Sequence, residues 1–191
     1  FAGADTLATS YALKCAVERT VELTGAAVDL VFCGRQAIDG DTAQVGPQTA
    51  EKLGMPQITY AEAITSITDG ELYAERALPL GRESVRCTLP CLLTVVATAN
   101  KPRPPSVRRA MSHKLAATPF DYGDILAKWP EFGSEAALDT YLAQRGLKIP
   151  VWSASDVGAD ENRLGLAGSP TKVLKVDYVV LGGTETREVS A

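Results

Sequence analysis

A short apolar run that ends in glycine is the feature that most constrains the fold of this chain. Residues 28–33 read VDLVFC, and Gly34 follows directly. A run of this length and composition predicts a strand buried on both faces, which favours a parallel sheet. Helical periodicity precedes it at 6–24, with Asp5 as the expected N-cap, and follows it at 44–53. This alternation of helix and strand predicts an α/β fold.

The pattern changes to that of an antiparallel β region after the second helix. Asp69 and Gly70 form a strong hairpin signal between two strand-like runs. The strand-like runs of this region are 58–68, 71–77, 84–89 and 92–97. We therefore expect a Rossmann-like parallel sheet with an additional antiparallel β region. Shorter predictions are a helix at 134–145 and extended chain at 151–152 and 172–181.

The length of 191 residues and a hydrophobic content of 46% fit one domain with a single core. The chain opens at a helix cap, without the first strand and phosphate loop with which a doubly wound fold normally starts. We therefore expect one domain over 1–191 that is a fragment, with the N-terminal strand portion missing.

Charge and hydropathy exclude several classes of protein. The formal charge of −4 and the pI near 5.1 give no reason to expect a nucleic acid partner. No run approaches the ~20 apolar residues needed to cross a bilayer, and no signal peptide is visible. The expected location is therefore cytoplasmic, with no membrane span.

The cysteines do not form a metal-ligand pattern. Cys87 and Cys91 are not spaced as C-x-x-C, and the single histidine is His113. Free cysteine is often buried as a small hydrophobe, so we expect structural thiols and no metal site. The chain also lacks a Walker-type lysine and a Ser/His/Asp set, which speaks against a nucleotide-hydrolysing or nucleotide-sensing enzyme. We assign no catalytic residue.

The loop from Gly34 to Pro47, GRQAIDGDTAQVGP, is the most informative segment. It follows the carboxyl end of the predicted strand, where ligands bind in open α/β sheets. Its three glycines are expected to adopt positive φ and to let the backbone approach a ligand closely. The N–H groups that begin the next helix favour an anion. Asp39 and Asp41 suit ribose hydroxyls or could cap those N–H groups.

The residues alone leave two interpretations of this loop open. It is neither a P-loop nor a G-x-G-x-x-G fingerprint, and an ordinary strand-to-helix connection also uses Asp and Gly in its turns. The start of the first helix raises the same question. Thr6 and Thr9 are expected on one face of its first turn. They could contact a ligand, or they could be solvated residues beside the Asp5 cap.

Three segments together resemble electron-transfer flavoprotein β subunits: FAGADTLATS from residue 1, CGRQAIDGDTAQVGP from residue 33 and LGLAGSPTKV from residue 164. The resemblance extends to about residue 176. It implies a sheet of the adenine nucleotide alpha hydrolase-like kind, an α subunit as partner and a bound adenine nucleotide. The residues that match the family's nucleotide contacts, or adjoin them in the loop, are Thr6, Thr9, Gly34, Gln36, Asp39, Gly40, Asp41, Thr42, Gln44, Val45, Gly46 and Pro47.

The resemblance also bears on which nucleotide is bound. In the mitochondrial branch it is a structural AMP, whereas in the electron-bifurcating branch it is an FAD that takes a hydride from NADH. The small residues Gly40, Thr42 and Ala43 are similar to the bifurcating branch and leave room for a flavin. We expect FAD, with AMP as the alternative, in a prokaryotic electron carrier that exchanges electrons with dehydrogenase-linked or quinone-linked partners. If the chain is of the bifurcating kind, it oxidises NADH, and only as part of the α/β complex.

Residues 99–112 match the family's docking loop for acyl-CoA dehydrogenases or similar flavin dehydrogenases. Val107 occupies the apolar anchor position, and Arg103, Arg108 and Met111 complete the expected docking surface. The alternatives for so basic a stretch are a solvated surface and a contact with anionic lipid or RNA, and the lack of interleaved aromatic residues speaks against RNA. Relative to typical members of the family, the chain is expected to carry an insertion at about 115–146. A C-terminal arm is expected at about 164–191.

Overall fold

A five-stranded mixed sheet in the order β1-β5-β2-β3-β4 forms the centre of the fold. The computed structural model describes residues 3–38 and 40–172. Its strands are β1 Leu30–Gly34, β2 Gln57–Thr68, β3 Glu71–Leu78, β4 Gly81–Thr88 and β5 Cys91–Val95. Its helices are α1 Thr6–Thr24, α2 Val45–Leu53, α3 Val107–Ser112, α4 Tyr122–Lys128 and α5 Glu135–Gln144.

The sheet has a parallel part and an antiparallel part, as the sequence predicted. β5 lies between β1 and the first half of β2 and is parallel to both, with Gly34 opposite Val95 and Gln57 opposite Leu92. The second half of β2 continues into an antiparallel ladder with β3 and β4. The predicted α/β class with an additional antiparallel region is therefore confirmed.

The hairpin between β2 and β3 turns where Asp69 and Gly70 were expected to turn it. Both residues have positive φ, 55° and 77°, which is the backbone of a two-residue turn matched to the twist of its strands. The core of the sheet is built from β2, β3 and β5. Its buried members are Ile58, Ala61, Leu72, Ala74, Cys91 and Leu93, with Leu30, Val85, Cys87, Leu89 and Val95 packed against them.

The prediction that β1 is buried on both faces is wrong for the described residues. Phe32 is 57% exposed, and β1 pairs only with β5 in the described part of the sheet. Gly46 at the start of α2 lies against Cys33, so this helix covers one face of the strand and leaves the Phe32 face open. The predicted extended pair Val151–Trp152 forms no strand, and residues 173–181 lie outside the described residues.

Residues 115–148, which we call the helical unit, have a small core of their own. The unit is closed at its ends because Ala117 N–H donates to Leu147 O at 3.0 Å and Ile149 N–H donates to Ala117 O at 2.8 Å. Ser134 caps α5 as predicted by accepting from Ala137 N–H at 3.2 Å. The buried residues of the unit are Ala117, Tyr122, Ile125, Leu138, Leu142 and Leu147.

Polar contacts add to this small core. The hydroxyl of Tyr122 donates to Asp139 at 2.7 Å, and Lys148 donates to the same carboxylate at 2.9 Å. Burial, followed by the hydrogen bond to Asp139, raises the pKa of Tyr122 to about 12. Hydrogen bonds from Lys148 and Tyr122 hold the pKa of Asp139 below its ordinary value.

No helix within the described residues is both long enough and apolar enough to cross a membrane.

We predict that Leu142→Ala destabilises the helical unit by about 2–5 kcal/mol, because it removes a fully buried side chain and leaves a cavity. The free energy of opening, measured by hydrogen exchange of amides in α4 and α5, checks this. Phe120→Ala is the control, because Phe120 is 85% exposed in the same unit and its loss should change the free energy by less than about 0.5 kcal/mol. Equal effects of the two variants would contradict the assigned core.

Candidate functional site

The candidate site lies at the carboxyl ends of the parallel strands, where the loop after β1 leads into α2. Arg35 N–H donates to Val95 O at 3.0 Å, so the loop starts pinned to the end of β5. Asp41 N–H donates to Ala37 O at 3.2 Å, which folds the middle of the loop back on itself. The loop is open to solvent: Gly34, Gly40, Asp41, Thr42 and Gln44 are exposed, and Gln36 is half-buried.

The loop takes positive φ at residues other than those expected. Asp41 has φ 49° and Ala43 has φ 55°, whereas Gly34, Gly40 and Gly46 are not in the left-handed region. The expectation that the glycines supply positive φ is therefore wrong. Asp adopts this conformation with modest cost, whereas Ala has no polar side chain to compensate. Asp39, the other predicted loop carboxylate, lies outside the described residues.

Gly46 serves the contact between helix and sheet. It is buried, and a Cβ built on it would lie 2.5 Å from Cγ2 of Thr94 in β5 and 3.5 Å from Cβ of Cys33. No real Cβ approaches another atom to 2.5 Å, so only glycine lets α2 lie this close to the strands. The close approach brings the start of α2 directly over the ends of β1 and β5.

The first turn of α2 offers backbone donors to an anion. Gln44 is its N-cap, and no side chain, Asp41 included, caps the turn in the described part of the chain. Pro47 has no N–H, so Val45 and Gly46 carry the first-turn N–H groups that have no helical acceptor. The helix dipole adds to their attraction for negative charge.

The start of α1 meets the start of α2, as the prediction of one shared site requires. Oγ1 of Thr6 donates to Oε1 of Gln44 at 3.3 Å, and Oγ of Ser10 approaches Oε1 of Gln48 one turn further on at 3.4 Å. Thr6 and Gln44 were both predicted site residues. Thr9 is half-buried and forms no side-chain hydrogen bond within the described residues. Sequence reasoning missed Ser10 and Gln48, whose one-turn offset from Thr6 and Gln44 was the available signal.

Asp5 joins the start of α1 to the segment near residue 170. One carboxylate oxygen accepts from the N–H groups of Leu7 and Ala8 at 3.0 and 2.9 Å. The other accepts from the backbone N–H and the hydroxyl of Thr171 at 3.1 and 2.7 Å, and Asp5 N–H donates to Oγ of Ser169 at 2.8 Å. Burial raises the pKa of the Asp5 carboxyl, but hydrogen bonds from Ala8, Thr171 and Leu7 outweigh it, so the pKa lies below its ordinary value.

A second set of contacts holds the same segment on α1. The hydroxyl of Tyr11 accepts from Asp160 N–H at 3.0 Å, and the guanidinium of Arg163 lies 3.8 Å from the centre of the Tyr11 ring. A cavity of about 470 Å³ lies beside these contacts. Among the described residues, Lys52 and Arg163 line it and no acidic side chain does, so the lining of this cavity is basic.

The predicted docking residues lie on an exposed, basic segment. Val107 and Met111 are 78% and 59% exposed and lie four residues apart on α3, which places them on one face of the helix. Arg103 and Arg108 are exposed, and neither takes part in an ion pair among the described residues. Residues 99–106 are neither helix nor strand, as the prolines there predicted.

The thiols have the character of structural cysteines. Burial, with a smaller contribution from neighbouring Cys87, raises the pKa of Cys91 to about 11. Burial also raises the pKa of Cys33. Both thiols therefore stay protonated at neutral pH, and they are poor nucleophiles.

The arrangement is that of an α/β protein with a candidate ligand site at the carboxyl edge of its parallel strands. Residues 1–120 match the family model described as the Electron transfer flavoprotein domain. The chain is 40% identical over 174 residues to the electron transfer flavoprotein subunit beta of Thermoanaerobacterium thermosaccharolyticum, a match that covers 91% of this chain and 53% of the relative.

Two further relatives extend the comparison. Protein FixA of Azorhizobium caulinodans is 37% identical over 179 residues, which are 92% of this chain and 52% of the relative. The caffeyl-CoA reductase-Etf complex subunit CarD of Acetobacterium woodii is 37% identical over 175 residues, 92% of this chain and 53% of the relative. The chain therefore belongs to the electron transfer flavoprotein family, among its β subunits. It spans about half the length of the curated relatives that it matches.

We predict that the Asp5 carboxylate makes the free energy of unfolding fall at acidic pH. Because its folded pKa is lowered, its contribution is complete above the ordinary carboxyl pKa of 3.8 and is lost as the pH falls through the folded value. Asp5→Ala should cost about 0.5–2 kcal/mol at pH 7 through loss of the cap alone. The melting temperature, followed from pH 7 to pH 2.5, measures both effects.

Asp5→Asn is the matched control for the acid dependence. Its amide oxygen can still cap α1, but its NH2 group would face the donors of Thr171, and it does not titrate. The gap in melting temperature between the native protein and Asp5→Asn should narrow below about pH 4. A gap that stays constant down to pH 2.5 would show that the Asp5 carboxylate is not a source of stability.

Proposed function

We propose that this chain is the nucleotide-holding part of an electron transfer flavoprotein β subunit, which works in a complex with an α subunit. The observation that carries the proposal is the contact between Thr6 and Gln44, at 3.3 Å. It joins two motifs that are 38 residues apart and that match the family's nucleotide contacts. Together they form one polar wall at the carboxyl edge of the sheet.

The donors and acceptors of this wall suit the parts of an adenine nucleotide. The N–H groups of Val45 and Gly46 would meet a phosphate, aided by the dipole of α2. The carboxylate of Asp41 is exposed and would accept from ribose hydroxyls. The hydroxyl of Thr42 would add a donor, and the hydroxyl of Thr6, which donates its proton to Gln44, would add an acceptor. The remaining loop residues of the set, Gly34, Gln36, Asp39, Gly40 and Pro47, complete the proposed contact surface.

We favour FAD over AMP as the bound nucleotide. Gly40, Thr42 and Ala43 carry small side chains, and the described loop leaves its outer side open to solvent, which suits a larger ligand. A bound FAD would supply the electron-accepting and electron-donating chemistry, while the chain holds and orients it and adjusts its electrostatics. A structural AMP, with redox chemistry left to the α subunit, is the second candidate because its phosphate would use the same N–H groups.

The docking surface on α3 is proposed to receive a flavin dehydrogenase or a related reductase. Val107 and Met111 offer an apolar anchor, and Arg103 and Arg108 surround it with positive charge that would steer an acidic partner. The relative CarD is named as a subunit of a caffeyl-CoA reductase-Etf complex, and this supports a partner of this class. The electron donor, NADH in a bifurcating complex, and a cytoplasmic location belong to the same proposal.

The helical unit is proposed to be an insertion next to this docking surface. The family match ends at residue 120, near the start of the unit, and the core of the unit is built from residues on both sides of that point. It follows α3 with only a short turn between them, in which Ala116 N–H donates to His113 O at 2.9 Å. Its position would let it influence which partner docks.

We predict that the complex purified after co-expression with the α subunit releases two FAD per heterodimer on denaturation. Asp41→Ala combined with Thr42→Ala should lower the nucleotide content of the β site about ten-fold, because it removes proposed ribose and phosphate contacts. Chromatographic identification and counting of the released nucleotides measures this. One FAD and one AMP would support the second candidate, and no second nucleotide would overturn the proposed site.

Thr68→Ala combined with Asp69→Ala is the matched control. Asp69 also has a positive φ, 55° against 49° for Asp41, and it also adjoins a threonine, but it lies in the β2–β3 hairpin. The control variant should bear the same backbone strain and keep its nucleotide. Equal loss of nucleotide in both double variants would assign the effect to destabilisation.

We further predict that Val107→Glu weakens docking of the dehydrogenase at least about ten-fold, because it places a charge at the proposed apolar anchor. Its nucleotide content should not change. The dissociation constant of the α/β complex for an acyl-CoA dehydrogenase, measured by calorimetry, checks this. Leu80→Glu is the control, since Leu80 is fully exposed in the turn between β3 and β4, and a similar loss there would remove the special role of α3.

A further inference from the structure

A single residue of β5 touches both of the elements that frame the site. Cγ2 of Thr94 lies 2.5 Å from the position that a Cβ on Gly46 would occupy. Oγ1 of the same buried side chain accepts from the N–H of Tyr60 at 3.0 Å. Tyr60 has φ 57° within β2, at an irregularity in the pairing of β2 with β5.

These two contacts make the Thr94 side chain rigid. A β-branched side chain has few χ1 rotamers, and rotation would move Oγ1 away from the N–H of Tyr60. That N–H would lose its partner at a point where a bulky residue already has a strained backbone. The methyl group of Thr94 is therefore a fixed stop against which α2 is seated at Gly46.

We propose that Gly46 and Thr94 are a positioning pair that sets the nucleotide affinity of the site. The depth at which α2 is seated fixes the N–H groups of Val45 and Gly46, which would meet the phosphate. It also fixes Gln44, two residues before Gly46, and through it the contact with Thr6. Thr94 acts through α2 and has no ligand contact in this proposal, which rests on the function proposed above.

The test is a cycle of substitutions in the α/β complex, with bound nucleotide counted after denaturation. In Gly46→Ala the new methyl meets Cγ2 of Thr94 and displaces α2, so nucleotide content should fall at least ten-fold. Adding Thr94→Ser removes Cγ2 and keeps the hydroxyl. The nearest atoms to the new Cβ are then those of Cys33 at 3.5 Å and Leu92 at 3.7 Å, which are ordinary contacts. The double variant should recover at least half of the native content.

Two single variants at Thr94 separate positioning from general stability. Thr94→Ser removes the methyl stop, so α2 can shift and the nucleotide content should fall, though by less than in Gly46→Ala. Thr94→Val keeps the methyl and loses the hydroxyl, so it should lower the melting temperature through the Tyr60 N–H yet retain nucleotide. Loss of nucleotide in Thr94→Val equal to that in Gly46→Ala would overturn the proposal.

Absence of rescue in a folded double variant would also overturn it. Should Gly46→Ala alone not fold, a double variant that folds and retains nucleotide still supports the pair, and one that does not fold refutes it. A native complex without nucleotide in the β site would instead refute the function on which the pair rests. The two failures are therefore distinguishable.

Discussion

The carboxylate of Asp5 is the contact on which the described arrangement most depends, because it joins parts of the chain that are more than 160 residues apart. One oxygen caps the N-terminus of α1, and the other accepts from Thr171. Both halves of this contact need an ionised, acceptor-only group, since every partner is a donor. Asp5 therefore anchors the start of α1, where the next residue, Thr6, donates to Gln44.

The parallel strands give the site its position. Their carboxyl ends meet at one edge, and the loop after β1 is pinned there by the bond from Arg35 N–H to Val95 O. Glycine at position 46 lets α2 approach the strands closely enough that its free N–H groups lie over this edge. Much of the candidate site therefore consists of backbone N–H groups, whose positions are set by the packing of α2 on the strands.

The proposed docking surface and the helical unit lie outside the loop and helix starts that form the candidate site. α3 is exposed, short and basic, and its apolar side chains at 107 and 111 are exposed. The helical unit beyond it buries its own leucines and closes its own ends. For the function proposed above, this separation would let one surface change without disturbing the other.

Local physical chemistry explains what the sequence by itself determined. Asp5 and Gly25 bound α1, Asp69 and Gly70 make the hairpin, and Ser134 caps α5, because caps and turns depend on neighbouring residues. The long motif from Gly34 to Pro47 also located the candidate loop and the family. Each of these features is contained within a few residues or one contiguous segment, so it can be read without knowledge of the rest of the chain.

Only the tertiary structure decided how these pieces meet. It placed β5 between β1 and β2, left Phe32 exposed, moved positive φ from the glycines to Asp41 and Ala43, and gave Gly46 its contact with Thr94. It also brought Thr171 to Asp5. These outcomes depend on packing between segments far apart in the chain, and neither residue propensity nor periodicity carries information about such contacts.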